Sequence, residues 1–351
     1  KLVEDAFIRA YKFSNEIPAY NMWRVMNRNR HALRNRIAQL AGCEPEEIAI
    51  QRNTTEALGT VVYGMSLNKS DEIVLGTYDY PNMRLAWEQR QKRDGIVLKY
   101  VNIELDKDDD NTVIDKYVSQ FNKNTRVVHL THMVNYSGRI LPVQKIAKIA
   151  KSKNIVIIVD GAQSFAHIDF KIKDLHADYF GTSLHKWLGA PFGTGLLYVN
   201  KDRIADLYPL FPAVESENNK ISKFEALGTR SFPTEFGILD AIDFNDYMGM
   251  SLKEKRLRYL SKYWHEKLKD IDGFRSYCLE GSESYAAIRT FGVDGKDLRK
   301  LNNYLLANNG ILTTTFKYEK IFGIRVSPNV FTTLKELDIF VDSVKKAINH
   351  I

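Results

Sequence analysis

The chain has 351 residues, enough for one large domain plus a smaller one, and its 44% hydrophobic and 26% charged residues match an ordinary soluble globular protein. A formal net charge of +7 comes from lysines and arginines scattered over the whole length; with no Arg/Lys block interleaved with aromatics, a nucleic-acid footprint is excluded. No apolar run approaches the roughly 18 residues of a membrane span.

The two cysteines, Cys43 and Cys278, form neither a close pair nor a metal-ligand spacing, so they read as free thiols and no metal site is expected. The chain begins at Lys1 rather than a methionine. The expected compartment is the cytoplasm, with an export signal left open.

The first residues, to about Asn27, are aromatic-rich and carry no assignable element. The stretch 30–41 reads as a helix with Leu33, Ile37, Leu40 and Ala41 on one face and Gly42 as its stop. A short strand (48–50) follows, then a helix opening at Thr54-Thr55, with Leu58, Val61, Val62 and Met65 at helical spacing. From there strand and helix alternate. Strands are expected at 72–75, 96–101, 126–130 and 155–159, and helices open at Pro81, Val113 and Pro142. Units of this length indicate a mostly parallel sheet with helices on both faces, an α/β fold. Ligands of such sheets sit beyond the carboxyl ends of the strands.

The run Ile155 to Val159 has no polar alternation and ends in Asp160, with Gln163 three residues on. A second short strand (178–182) leads into Ser183-Leu184-His185-Lys186-Trp187, and Gly193 and Gly195 precede an apolar run at 196–199. The segment 208–232 lacks periodicity. Beyond it 236–268 reads as one long helix, and the remainder as α+β. Strands are expected at 285–291, 311–315 and 321–326, and helices at 298–306 and 334–348. A boundary near Asp246 divides the chain into a large α/β domain (1–246) and a small α+β domain (247–351).

A carboxylate ending a buried strand, with a lysine a loop away, is the arrangement that holds pyridoxal phosphate. The amine forms a Schiff base with the cofactor aldehyde, and the aspartate keeps the ring nitrogen protonated, so that negative charge can develop at a substrate α-carbon. Each residue alone would pass as a strand cap or a solvated lysine; the ordered set is specific. Asp160-x-x-Gln163, Ser183-x-His185-Lys186-Trp187-Leu188 and Pro191-x-Gly193-x-Gly195 together resemble the class V aminotransferase family of fold type I pyridoxal phosphate enzymes. His-Lys-Trp-Leu is most similar to its isopenicillin N epimerase-like branch.

The resemblance, which runs from the helix at Arg30 to the end of the chain, assigns further roles. It puts the cofactor phosphate at the helix start bearing Thr54 and Thr55, where free N–H groups and the helix dipole favour an anion; plain capping by Thr54 is the competing reading. It puts Tyr80 against the ring, and Asn135 and Gln163 beside the ring's phenolic oxygen. Ser183 and His185 serve the phosphate or cover the ring. Gly228-Thr229 matches the segment by which the second subunit of a homodimer reaches the phosphate, and Arg325 matches the arginine that grips the substrate carboxylate. His132 is left as a structural histidine. The family's N-terminal substrate-lining segment, ahead of the Arg30 helix, is expected to be largely missing.

Cysteine desulfurases of this family need a nucleophilic cysteine before the carboxylate arginine, and 310–325 contains none. The resemblance therefore implies a homodimeric enzyme acting on an amino acid or amine through Lys186, with no membrane or nucleic-acid partner. An aminotransferase is expected, with an epimerase or β-lyase as alternatives. A pyridoxal-binding protein without turnover is a further one. A dinucleotide-binding dehydrogenase is disfavoured, because no G-x-G-x-x-G follows the early strands.

Overall fold

A computed structural model describes residues 1–279, 281 and 283–349. Its larger sheet has seven strands: β1 (Ile48–Gln51), β2 (Glu72–Gly76), β3 (Val97–Val101), β4 (Thr125–Thr131), β5 (Val156–Asp160), β6 (Tyr179–Ser183) and β7 (Gly195–Val199). Their order is β1-β7-β6-β5-β4-β2-β3, and β7 alone runs antiparallel to its neighbours. The other six strands therefore point their carboxyl ends at one rim. The cross-strand register sets that rim closely: Thr131 lies opposite Asp160, Asp160 opposite Gly181, and Ser183 and Gln51 both opposite Gly195.

The absence of polar alternation in β5 has its reason in two-sided burial. Ile157 and Val159 enter one core with Ile146, Ala147 and Ala150 of the Val143–Ser152 helix. Ile158 enters the opposite core with Ala57, Leu58 and Val61 of the Thr54–Gly64 helix and with Trp87. Successive side chains of a strand point to opposite faces, so a sheet covered on both sides is apolar at every position.

Gly195 is fixed by close approach. A Cβ there would stand 2.6 Å from Asn53 N and 2.7 Å from its Cα, both backbone atoms at the start of the Thr54–Gly64 helix. Backbone cannot rotate out of the way as a flexible side chain can. Gly195→Ala is expected to cost about 1–3 kcal/mol, read as a lower thermal midpoint, and to weaken whatever the helix start binds.

A second sheet is antiparallel, in the order β10-β11-β9-β8, from β8 (Phe274–Ser276), β9 (Arg289–Val293), β10 (Thr314–Tyr318) and β11 (Ile321–Val326). Trp264, Phe291, Leu301, Ile324, Phe340 and Val344 form its core with three helices. The expected helix over 236–268 is two helices, Phe232–Met248 and Met250–Leu268, broken at Gly249, whose φ of 80° a helix cannot contain. The boundary expected near Asp246 falls in the last turn of the first. The strand expected at 285–291 starts at Arg289, and Tyr285 makes only an isolated bridge to Arg139. The strand expected at 311–315 runs three residues later.

The N-terminal stretch, unassigned from sequence, forms a helix (Leu2–Glu16) packed along Phe232–Met248. Two short turns then join it to the Asn27–Ala41 helix, which ends at Gly42 in the left-handed conformation. Among the described residues no helix is long and apolar enough to cross a membrane.

Candidate functional site

Asp160 is 3% exposed at the carboxyl end of β5. Its Oδ1 accepts a hydrogen bond from Ala162 N at 2.9 Å, and no described donor reaches Oδ2. Burial pushes the carboxyl's pKa up, against the opposing pull of the Ala162 N–H and of Lys186. Lys186 follows β6 in a tight turn and stays exposed in the single chain. Its amine is nonetheless held below the ordinary lysine range, first by desolvation and then by Arg325, with Asp160 pulling the other way. The amine thus feels both an anion from the large sheet and a cation from the small one.

Arg325 lies on β11, an interior strand of its sheet, and is half-buried. Its Nη1 donates to Asn135 O at 2.9 Å, its guanidinium carbon lies 5.0 Å from the Phe316 ring centre, and its buried Nε has no partner among the described residues. No described carboxylate pairs with it. A desolvated guanidinium with spare donors is a receptor for a planar anion.

The start of the Thr54–Gly64 helix comes from Asn53, not Thr54: the Asn53 side chain accepts from Glu56 N at 2.9 Å. Asn-x-x-Glu was the readable signal, since Glu56 reaches back to Arg52 N. Thr54 is released for another contact. Its N–H donates to Ser183 Oγ at 2.9 Å and its hydroxyl pairs with the same oxygen at 2.7 Å, joining the helix start to the end of β6. Thr55 is exposed, and neither its N–H nor its hydroxyl has a partner among the described residues. His185 uses Nδ1 on Thr194 O at 3.0 Å, which leaves Nε2 open, and burial lowers its pKa. One free amide and one free hydroxyl at a helix N-terminus make an anion cradle, while neutral His185, with its proton on Nδ1, presents Nε2 as an acceptor.

Gln163 is half-buried, and its Oε1 accepts from Trp187 Nε1 at 2.9 Å. Asn135 stands in the loop after β4, and its carbonyl carries Arg325. Tyr80 is 41% exposed at the start of the Pro81–Asp94 helix, near Tyr136. Thr229 is exposed beside Gly228, whose φ is 68°, and has no hydrogen bond to the other candidates within the chain. His132 is buried, pairs with Ser164 Oγ at 3.0 Å and meets Phe170 edge-on.

Sequence reasoning missed three groups. Asp79 is buried beside Asp160, accepts from Thr131 Oγ1 at 2.7 Å and Gly76 N at 2.9 Å, and is pushed up to about 7 by burial. Lys253 is 2% exposed and donates to Trp187 O and to Asn245 Oδ1, while Asn245 Nδ2 donates to Leu188 O at 2.9 Å. These last two hold the backbone just after Lys186 from two helices. Asp79 has a signal in the Thr77-Tyr78-Asp79-Tyr80 strand exit; Lys253 and Asn245 have none, because the Trp187 and Leu188 carbonyls they hold lie more than fifty residues away in the chain.

The sequence model of the family described as Aminotransferase class-V matches residues 16–327. An isopenicillin N epimerase of Streptomyces clavuligerus is 25% identical, over 94% of this chain and 85% of that protein. A probable cysteine desulfurase of Halalkalibacterium halodurans is 31% identical, over 71% of this chain and 63% of its own length. Among solved structures, the apo cysteine desulfurase from Thermococcus onnurineus NA1 superposes with a TM-score of 0.89 at 23% identity, covering 100% of this chain and 92% of that one.

Proposed function

The chain belongs to the class V aminotransferase family of pyridoxal phosphate enzymes, and on that premise we propose that it acts at the α-carbon of an amino acid or amine as an aminotransferase. Its fold is that of the fold type I enzymes, and pyridoxal phosphate is its cofactor. The residues present fit that group. The free Oδ2 of buried Asp160 calls for a protonated nitrogen, and the Thr55 N–H and hydroxyl are left as donors for a phosphate. Bound there, the cofactor supplies a positively charged ring that accepts electron density from the α-carbon.

Each residue then has its task. Asp160 keeps the ring nitrogen protonated. Lys186 would hold the aldehyde carbon and carry a proton to and from the α-carbon, a duty its lowered pKa suits because a larger share of the amine is then neutral than in an ordinary lysine. Thr54 and Ser183 brace the helix start, Thr55 takes the phosphate, and Tyr80 and His185 cover the ring. Asn135 and Gln163 face its phenolic oxygen. Arg325 binds the substrate carboxylate. Thr229 serves the site of a second copy, so the working form is a homodimer with an expected boundary between large and small domains near residue 246.

The convergence of Asp160 and Arg325 on the Lys186 amine carries this reading. Transamination needs only one proton carrier, on one side of the α-carbon. Epimerisation needs a second donor on the other side; the 25% identity to an isopenicillin N epimerase favours keeping it as the second reading. Persulfide chemistry is disfavoured. Cys278 is buried with a raised pKa, Cys43 is pushed up to about 12, and β10 and the loop before it hold no cysteine.

A half-reaction screen of L- and D-amino acids tests the reading. An aminotransferase converts the cofactor to its amine form and releases a keto acid, whereas an epimerase inverts the amino acid and returns the cofactor unchanged. Arg325→Gln is expected to raise KM for a carboxylate-bearing substrate by about 10²-fold, the loss of a paired buried charge. The same change leaves the affinity for an amine without that carboxylate nearly unaltered; equal losses for both would remove Arg325 from the substrate site.

A further inference from the structure

The indole of Trp187 occupies an unusual place: one residue from Lys186, 8% exposed, and hydrogen-bonded to Gln163. Resting on the proposed site, we infer that Trp187 is a positioning residue that fixes the polarity of Gln163, so that the cofactor meets the amide's N–H donors and never its oxygen.

An indole Nε1–H can only donate, so the Gln163 atom it touches at 2.9 Å is the oxygen. The Nε2 end, with two donors and no partner among the described residues, is left as the free end of the amide. A free glutamine would turn over at little cost and offer either end.

Here the indole cannot follow such a turn. Its ring stacks on His167 with centres 3.6 Å apart and planes 24° from parallel. His167 is itself held at both nitrogens: Nδ1–H donates to Gln163 O at 2.8 Å, and Nε2 accepts from Ala287 N at 2.9 Å. That pairing requires the neutral tautomer with its proton on Nδ1, and burial disfavours the doubly protonated ring. The Trp187 backbone is anchored by Lys253 Nζ on its carbonyl. One histidine thus fixes the Gln163 backbone and the indole face, while the indole N–H fixes the amide.

A donor beside the cofactor's phenolic oxygen stabilises the phenolate and lowers the pH at which the lysine-linked chromophore gives up its proton. The other ionisable groups around this arrangement are Asp160 and Lys186 nearby in sequence, Arg325 acting on Lys186, and Lys253 and Arg258 acting on His167. All are unchanged in the variants below, so a shift reports the amide.

The experiment is a spectrophotometric pH titration of the cofactor-loaded enzyme. Trp187→Phe keeps a ring for His167 and removes the N–H; its midpoint is expected to move up by about one pH unit. Gln163→Met should move it at least as far, and the double variant no further than Gln163→Met alone. Gln163→Glu, which is isosteric and has no N–H to present, should move it furthest, and it decides the matter if Trp187→Phe does not fold. A Trp187→Phe midpoint equal to wild type, or a Gln163→Glu midpoint no higher than that of Gln163→Met, overturns the inference while leaving the site intact. A wild-type chain that takes up no cofactor overturns both.

Discussion

Lys186→Ala is expected to abolish covalent capture of pyridoxal phosphate and to slow α-proton exchange of any substrate by at least about 10³-fold, within the range for loss of a positioned proton carrier. Wild-type protein mixed with the cofactor, reduced with borohydride and digested should carry one pyridoxyl group, on the peptide containing Lys186; the variant should carry none. The chain offers many other lysines, so the outcome is a demanding one. What distinguishes Lys186 is its surroundings: desolvation and Arg325 hold its pKa down, leaving a larger neutral fraction than an ordinary surface lysine has at the same pH. Capture should therefore rise with pH through a midpoint below the usual lysine value of 10.5. Lys253, which is buried and whose pKa is also lowered, to about 8, is the internal control. Its amine is spent on Trp187 O and Asn245 Oδ1, so it should take no label. Label on Lys253 instead of Lys186 would move the whole site.

The central assignments were readable because each rests on a local pattern. A strand apolar at every position, ending in Asp160, needs only the two-sided sheet to explain it, and the sheet is there. Other features were hidden for identifiable reasons. The apolar spacing of Ile238, Ala241 and Ile242 runs on without a visible break to Leu257, Leu260 and Trp264, so Gly249 was passed over although its φ of 80° ends the helix. Thr313 to Thr315 are equally fit for a strand; the antiparallel register with β11, closing at Tyr318 opposite Ile321, decides which part pairs. Tyr285, Ala286, Ala287 and Ile288 read as a strand by composition, but Ala286, Ala287 and Ile288 pack with Met133, Ile168 and Trp187 instead of joining the ladder. In the candidate site, Asn135, Asp160, Ser183 and Arg325 were singled out by motif, while Lys253 and Asn245, which hold the carbonyls of Trp187 and Leu188, and His167, which accepts from Ala287 N, act across separations that no spacing reveals.

Asp160→Asn should separate stability from chemistry. In the apo protein the carboxylate is buried with a single hydrogen bond, so its folded pKa lies above its unfolded value of 3.8. For a raised acid the sign is as follows: between those two values the folded state keeps a proton that the unfolded state has released, so stability falls as pH rises through that window. At neutral pH the charged group is then a net burden, relieved in part by Lys186. The isosteric amide removes the burden, and the apo variant should melt at or above the wild-type temperature at pH 8, with the difference shrinking toward pH 4. The holoenzyme should behave in the opposite way. An amide cannot keep the ring nitrogen protonated, so the charge that stabilises a developing α-carbanion is lost, and α-proton exchange should fall by about 10²–10³-fold, comparable to removing one electrostatic stabiliser from a transition state. Covalent capture by Lys186 should survive, since it does not pass through the ring nitrogen. A variant that melts lower in the apo form would mean that Asp160 is held by structural contacts rather than kept for a ligand. One that exchanges α-protons at the wild-type rate would mean that the ring does not rest on this carboxylate.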